Sequence, residues 1–508
     1  MTNQSDSQDP LTSRVAGPSS DSPAQELIDA GFAWEIADAP LLHDGLNVAD
    51  LGHVLDLHRR SIIPEDIAAQ LLAELLIAHA TPAEDFPYDP NFGEPYNSRE
   101  RLFAERLGTV AGWLHAGRPR REAARVALRI VLRKQTATLV GDAGRFARTA
   151  ADVASAHRDV LMPDQTYLQQ AQPSTFGHYL LSFVPPALRD GARLAAALRE
   201  VNLSPGGAGC VNGTRLLDDR SHIASSLGFI DVIEHTRDAM WQTDTFIDIL
   251  ATSTSLISNQ SKLAEDLEIW ASQEFDYIDL AGPYTRSSVL MPQKRNPYAL
   301  TIARGAGGVL IGRLTGFLAV VKSPSARSDN LIFAYGEIPR ALELSSKISA
   351  LMSGVVRTMT VNADRMWEEL EGGFSQATDL AEYVMLATGI DYRTAYRVVG
   401  DTVRAASQQG LRGVDITTEL LDDVAEDVCG QRFALDQGML AEVLDPRNIV
   451  ATRTAAGGAA PAVVAEMSER HGVQADALID DSNAQLAAFA TAEDELVARA
   501  RGLVERAS

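Results

Sequence analysis

The sequence predicts an all-α protein of three helical domains around a central bundle of long helices. Three observations carry that prediction. Hydrophobic residues make up 45% of the chain and aromatic ones only 6%, with Ala and Leu abundant; such residues lose little freedom in a helix, so the balance favours helix packing over strand pairing. From Arg121 to about Val160 no proline occurs, and Leu128, Leu132, Leu139, Ala143, Phe146, Ala150 and Val153 recur at spacings of three, four or seven, the period of one helix face. Between such segments lie short stretches that concentrate glycine, proline and polar residues.

Taken in order, residues 1–25, "MTNQSDSQDPLTSRVAGPSSDSPAQ", lack the basic start and apolar run of a secretory signal and read as a disordered tail. Residues 26–120 read as an N-terminal helical domain. There, "IPEDIAAQLLAELLIAHA" opens a helix at Pro64 and sets Ile67, Leu71, Leu72, Leu75 and Leu76 on one face. Residues 121–361 form the central domain: the 121–160 helix, a second from Thr175 to Val201 with a kink at Pro185 and Pro186, and a third from about Asp231 to Phe275. Residues 362–508 make a smaller C-terminal helical domain. Stripes this long are buried best in a bundle of like helices, often across subunits.

The net charge of −23 repels nucleic acid and acidic membranes, so an anionic ligand must meet a local basic site. The most apolar window, Gly305 to Val321, is interrupted by Arg313 and four further glycines and falls short of a membrane span; a cytoplasmic location is the expectation. Cys210 and Cys429 are too few and too far apart for a disulfide framework or a Cys-x-x-Cys metal site, and read as buried or inert thiols.

Four loops carry the unusual residues: "AGWLHAGRPRREAAR" (111–125), "MPDQTYLQQAQPSTFGH" (162–178), "LSPGGAGCVNGTR" (203–215) and "TRSSVLMPQKRNPYAL" (285–300). Long antiparallel helices return such loops to a common height around one cleft. In the last, Lys294 and Asn296 suit the gripping of a carboxylate through charge-assisted donors. A serine beside such cations, at 287 or 288, gives up its proton more readily and can act as a base. The alternative is a solvated surface loop. "SPGGAG" lacks the Gly-Lys-Ser/Thr ending of a phosphate loop and reads as a tight turn. His115 and His178 have no acidic or thiol partner at ligand spacing, so no metal site is expected.

"SVLMPQKRNP" resembles the signature loop of the fumarase, aspartase and argininosuccinate lyase superfamily. "LHAGRPRREA", "QTYLQQAQPSTFGH", "LSPGGAGCVNGT", "GGFSQATDLAEYV" and "RTAAGGAAP" match, in order, the argininosuccinate lyase branch over about residues 25 to 465. The resemblance implies a homotetramer without cofactor, each active site being assembled from three subunits. It also implies a β-elimination that releases fumarate from an N-substituted aspartate, so the substrate is a small dicarboxylate or N-succinyl-type molecule. By position it makes Ser288 the catalytic base, gives Lys294 and Asn296 the substrate carboxylate, and brings Thr166, Gln169 and Gln172 from the second loop and Arg118 and Arg120 from the first.

The departures from the pattern are as informative. Ser287 and Val289 flank the base where the family has glycine and serine. Tyr167 replaces the general-acid histidine and Thr301 its partner glutamate; Tyr167 is either a substitute acid or a packing and hydrogen-bonding residue. Pro119 and Arg121 replace a substrate-binding serine and asparagine. "SPSARSDNLIFAYGE" (323–337) offers Arg327, Ile332 and Tyr335 where the family binds the arginine half. Arg121 and Arg327 therefore suggest an amine half more anionic or more apolar than arginine, unless they serve inter-helix ion pairs. A cycloisomerase of a carboxylated muconate-type acid and a catalytically silent scaffold are the competing readings of the same fold.

Overall fold

The computed structural model describes residues 23–326 and 329–507. Arg327 and most of the tail expected at 1–25 lie outside the described residues.

Helices α1 (Ala33–Arg59), α2 (Glu65–Ala80) and α3 (Pro95–Leu107) build the N-terminal core. Pro64 sits at the N-cap of α2 in extended conformation. Leu71, Leu72 and Leu75 are buried, while Ile67 and Leu76 are half-buried at the edge of the same core. The central bundle consists of α4 (Arg120–Ala156), α5 (Val184–Val201), α6 (Asp244–Trp270), α7 (Tyr298–Val321) and α8 (Glu337–Thr358). Its core holds Leu128, Leu132, Leu139, Ala143, Phe146 and Ala150 of α4, with Val153 packed against them.

Two expected elements differ. Pro185 and Pro186 do not kink a continuous helix: Phe176–Leu181 ends as its own short helix, and the prolines fall in the first turn of α5, where a missing N–H costs no hydrogen bond. The third long helix starts at Asp244 rather than near Asp231, because Asp231–Val232 pairs in parallel with Leu203–Ser204.

Helices α9 (Ala377–Thr388), α10 (Tyr392–Gln408) and α11 (Thr418–Cys429) enclose a separate small core around Leu380, Val384, Val398 and Leu421. The last helix, α12 (Pro461–Ala507), runs back along α4: its Val464, Ala475 and Phe489 join the bundle core, and its Leu496 and Leu503 the N-terminal core. The close approach requires Gly141 and Gly144, where a Cβ would stand 2.6 Å from Ser482 Oγ and 2.9 Å from the Ala475 carbonyl oxygen.

Helix α7 buries Ala303, Leu310 and Phe317 but exposes Ile302, Val309, Ile311 and Leu318. Measured from Tyr298 it is long and apolar enough to cross a membrane by length and composition, with mean hydropathy 1.3 over its best window. That corrects the expectation drawn from the shorter window at Gly305. Both its arginines are ion-paired, Arg304 with Glu265 and Glu268 and Arg313 with Glu337. Cys210 is exposed, correcting the expectation of a buried thiol, and Cys429 is half-buried.

Candidate active site

Strands β3 (Arg286–Ser287) and β4 (Arg295–Asn296) pair antiparallel and carry the signature loop as a hairpin. Asn296 ties it shut by donating from Nδ2 to the Arg286 carbonyl at 3.0 Å. Arg295 fixes it to the body through Asp279 at 3.2 Å and the Leu280 carbonyl at 2.6 Å. Across the hairpin the Ser288 N–H donates to the Lys294 carbonyl at 3.3 Å. The Ser288 Oγ accepts hydrogen bonds from the backbone N–H of Leu290 at 3.3 Å and of Met291 at 2.9 Å. Donors of this kind favour the deprotonated oxygen over the hydroxyl. The tip stands clear of its own chain, with Val289 105% and Leu290 85% exposed.

The second loop is a hairpin, not an irregular connection. Strands β1 (Leu161–Thr166) and β2 (Gln169–Thr175) pair antiparallel with a bulge between Pro163 and Gln165. Tyr167 and Leu168 form its two-residue turn with φ of 56° and 59°. Both lie in the left-handed region that such turns demand and that bulky residues normally avoid. Tyr167 is 99% exposed at the tip, flanked by exposed Thr166 and Gln169, with Gln172 exposed further along β2. His178 has a structural place: its ring nitrogens meet Ser174 Oγ at 3.2 Å and the Gly457 carbonyl at 3.0 Å.

The first loop turns at Gly117 (φ +71°), where a Cβ would lie 3.0 Å from Thr214 Oγ1. Arg118 then points inward. Its guanidinium donates to Asp50 at 2.5 Å, to the Tyr96 hydroxyl at 3.0 Å and to the Ala49 carbonyl at 3.2 Å, and Asp50 also holds Arg99 at 2.9 Å. Burial pushes the Tyr96 phenol up to about 12, so it stays neutral. A guanidinium so occupied is a strut of the fold, which parts Arg118 from the exposed residues expected to bind substrate. Glu122 is also buried; its Oε1 accepts the Gly207 N–H at 2.6 Å and joins this loop to the glycine-rich one. Burial raises its carboxyl to about 7 against the pull of that amide and of Arg118.

Arg120 and Arg121 open α4 and line a pocket with Glu35, Asp38, Glu94, Leu42, Ile332 and Tyr335, among others. Arg120 lies 3.9 Å from Glu94. Burial and the nearby Glu94 lift the Glu35 carboxyl to about 7, although both arginines oppose this. Asp38 is paired with Arg340. The first loop and the 331–335 segment thus meet in one pocket. The signature loop and the second hairpin do not line it. Among the described residues no hydrogen bond or ion pair links Ser288, Tyr167 and Arg120.

Sequence reasoning missed Glu35, Asp38 and Glu94. The first two had a signal: with Leu42 and Leu46 they follow the spacing of one helix face, so two carboxylates occupy stripe positions where apolar residues are expected. Thr301, in place of the family's glutamate, hydrogen-bonds Glu268 of α6 at 3.2 Å. A carboxylate does stand beside that position, therefore, but it also holds Arg304 at 2.6 Å.

Comparison with known proteins places this geometry. Residues 92–312 match a lyase family and residues 374–451 the argininosuccinate lyase C-terminal family. An argininosuccinate lyase of Methanoculleus marisnigri is 34% identical over 434 residues, covering 84% of this chain and 87% of the relative. Among solved structures, an EDDS lyase in complex with formate superposes with a TM-score of 0.85 at 24% identity, covering 96% of this chain and 97% of its own. The 3-carboxy-cis,cis-muconate lactonizing enzyme of Pseudomonas putida follows the same fold with a TM-score of 0.69 at 19% identity, over 89% and 99% of the two chains. With the ordered loops and the bundle already described, the chain belongs to the argininosuccinate lyase branch of the fumarase/aspartase superfamily.

Proposed function

We propose that this protein is a carbon–nitrogen lyase that splits an N-substituted aspartate into fumarate and an amine, in an active site shared between subunits. The observation that carries the reading is Ser288, whose Oγ accepts two backbone N–H groups opposite Lys294 in a pinned hairpin. Those donors are in place before reaction, so an alkoxide there needs no reorganisation. Ser288 takes the proton from the carbon next to the carboxylate. The electron pair left behind forms the double bond, the carbon–nitrogen bond breaks, and the nitrogen leaves with a proton supplied by Tyr167. Lys294, Asn296 and Arg120 hold the carboxylates, while Thr166, Gln169 and Gln172 border the acid.

The shared site is supported by exposure: the Tyr167 and Val289 tips are fully solvated in the single subunit, where neither could exclude water from a reaction. The outer face of α7 supports a homotetramer. Its Val309 and Ile311 are exposed, and a Cβ added at Gly305, Gly308, Gly312 or Gly316 would meet nothing within 4 Å, leaving room for a neighbouring helix. We therefore read α7 as a subunit contact in a cytoplasmic enzyme. The lyase reading is preferred over the cycloisomerase one because the 34% identity over most of the chain is to an argininosuccinate lyase.

The test is the reverse reaction. The protein is incubated with fumarate and a panel of amines, and adducts are sought by mass spectrometry. An adduct that Ser288→Ala forms about 10²- to 10⁴-fold more slowly supports the reading. No adduct from folded protein, or one that Ser288→Ala makes equally fast, sinks it.

A further inference from the structure

We infer that the groove between the end of α1, the short helix Ser221–Ser226 and the last turns of α12 binds a small anion of linked phosphate groups on Arg59, Arg499 and Arg506. None of the loops of the proposed lyase site lines this groove, and the inference does not depend on the lyase reading.

The groove has a volume of about 500 Å³, within the range of small-molecule sites. On α12, Arg499, Gly502 and Arg506 follow at spacings of three and four and so share the face that lines it. Seven residues set the two arginines about 10 Å apart along the helix axis. Gly502 lets the second fold back between them: a Cβ there would stand 3.5 Å from Arg506 Nη1. Arg59 and His222 line the groove from the other two elements.

These cations are not matched by anions. Among the described residues Asp56 is the one carboxylate lining the groove, and it is 1% exposed and already held by Arg59 at 2.9 Å, Arg60 at 3.0 Å and His222 at 3.0 Å. Arg59 meets it through Nε and Nη2 only. Arg499 makes one long contact, from Nη2 to the Ser226 carbonyl at 3.4 Å, and Arg506 has no hydrogen bond or ion pair among the described residues. The continuation of the groove towards Ala492 adds Glu495. The helix macrodipole accounts for cations in the last turns of α1 and α12, but its effect fades within one turn, and Arg499 stands two turns before the end of α12. In a chain of net charge −23, three guanidinium groups around one groove call for an anion from outside. A lone carboxylate fills a single guanidinium fork, whereas phosphate oxygens take charge-assisted hydrogen bonds from several at once. The separation of Arg499 from Arg506 fits two linked phosphate groups better than one.

Isothermal titration of pyrophosphate and of orthophosphate into the whole protein, at an ionic strength fixed with chloride, tests the site. Wild-type protein is expected to take up one pyrophosphate per subunit, more tightly than orthophosphate. Arg499→Gln and Arg506→Gln, both at exposed positions, should each raise the Kd at least about tenfold. Arg499→Lys, which keeps the charge and loses the fork, should fall between, and Lys294→Gln in the signature loop should bind as the wild type does. Circular dichroism checks that each variant is folded. No saturable binding by the wild type overturns the inference, as does an affinity that both glutamine variants retain. Binding lost in Lys294→Gln would move the anion to the signature loop and overturn it too, and equal affinity for orthophosphate would overturn the assignment to linked phosphates.

Discussion

Replacing Glu122 by glutamine keeps the shape of the side chain and removes only its ability to ionise. The carboxyl is 1% exposed, with Oε1 on the Gly207 N–H at 2.6 Å and Oε2 without a hydrogen-bond partner. Burial lifts it from its ordinary value of 4.5 to about 7. Between those limits the folded protein keeps a proton that the unfolded chain has released. The stability linked to that proton is fully present below pH 4.5 and is lost as pH rises through 7. The elevation corresponds to about 3 kcal/mol. Glutamine has no such slope, so from pH 4.5 to 8 the difference in unfolding free energy between variant and wild type should move by about 3 kcal/mol in favour of Glu122→Gln. Urea unfolding of both proteins at one concentration, across that pH range, measures it. The charged neighbours Arg118 and Arg220 do not titrate there, so the difference isolates Glu122. A gap that stays constant within about 1 kcal/mol would refute the claim that burial keeps this carboxyl protonated.

Asp50→Ala strands Arg99 and Arg118, each almost fully buried against it; it should cost about 3–5 kcal/mol, and a loss below about 1 kcal/mol in chemical unfolding would show the network to be dispensable. Tyr167→Phe removes the proposed acid and should lower kcat by about 10²-fold, most for amines that leave poorly; equal rates for every amine would reduce Tyr167 to a positioning role. Ile311→Glu places a charge on the exposed face of α7 and should yield a smaller particle by light scattering, without activity. A wild-type protein that is monomeric and active would dispose of the shared site.

The long helices were legible because their stripes are uninterrupted: Arg121–Val160 was expected and Arg120–Ala156 is found. The 161–175 hairpin was not, for two physical reasons. Its turn uses Tyr167 and Leu168 instead of the Asn-Gly pair that signals such a turn, and Pro163 and Pro173 demote both strands. The signature loop was legible as a motif, but the amides reaching the Ser288 Oγ depend on backbone direction, which no side-chain pattern encodes. The burial of Arg118 was not legible either, because it depends on Asp50, far away in sequence. Glu94 escaped notice for the same reason: it looks like an ordinary solvated carboxylate until the fold sets it in one pocket with Glu35.

The start of α4 carries a local conflict of charge. Arg120 and Arg121 are its first two residues, and Pro119 before them offers no side-chain cap. Cations at a helix N-terminus oppose the macrodipole by about 0.3–1 kcal/mol each. The carboxylate that should complement the dipole, Glu122, is turned into the glycine-rich loop, and burial raises its carboxyl to about 7, so that it carries only part of its charge at neutral pH. The helix therefore opens with two cations in succession and only a partly ionised carboxylate behind them, and local rules are broken chiefly where function requires it. What offsets the conflict lies across the pocket, in Glu35 and Glu94.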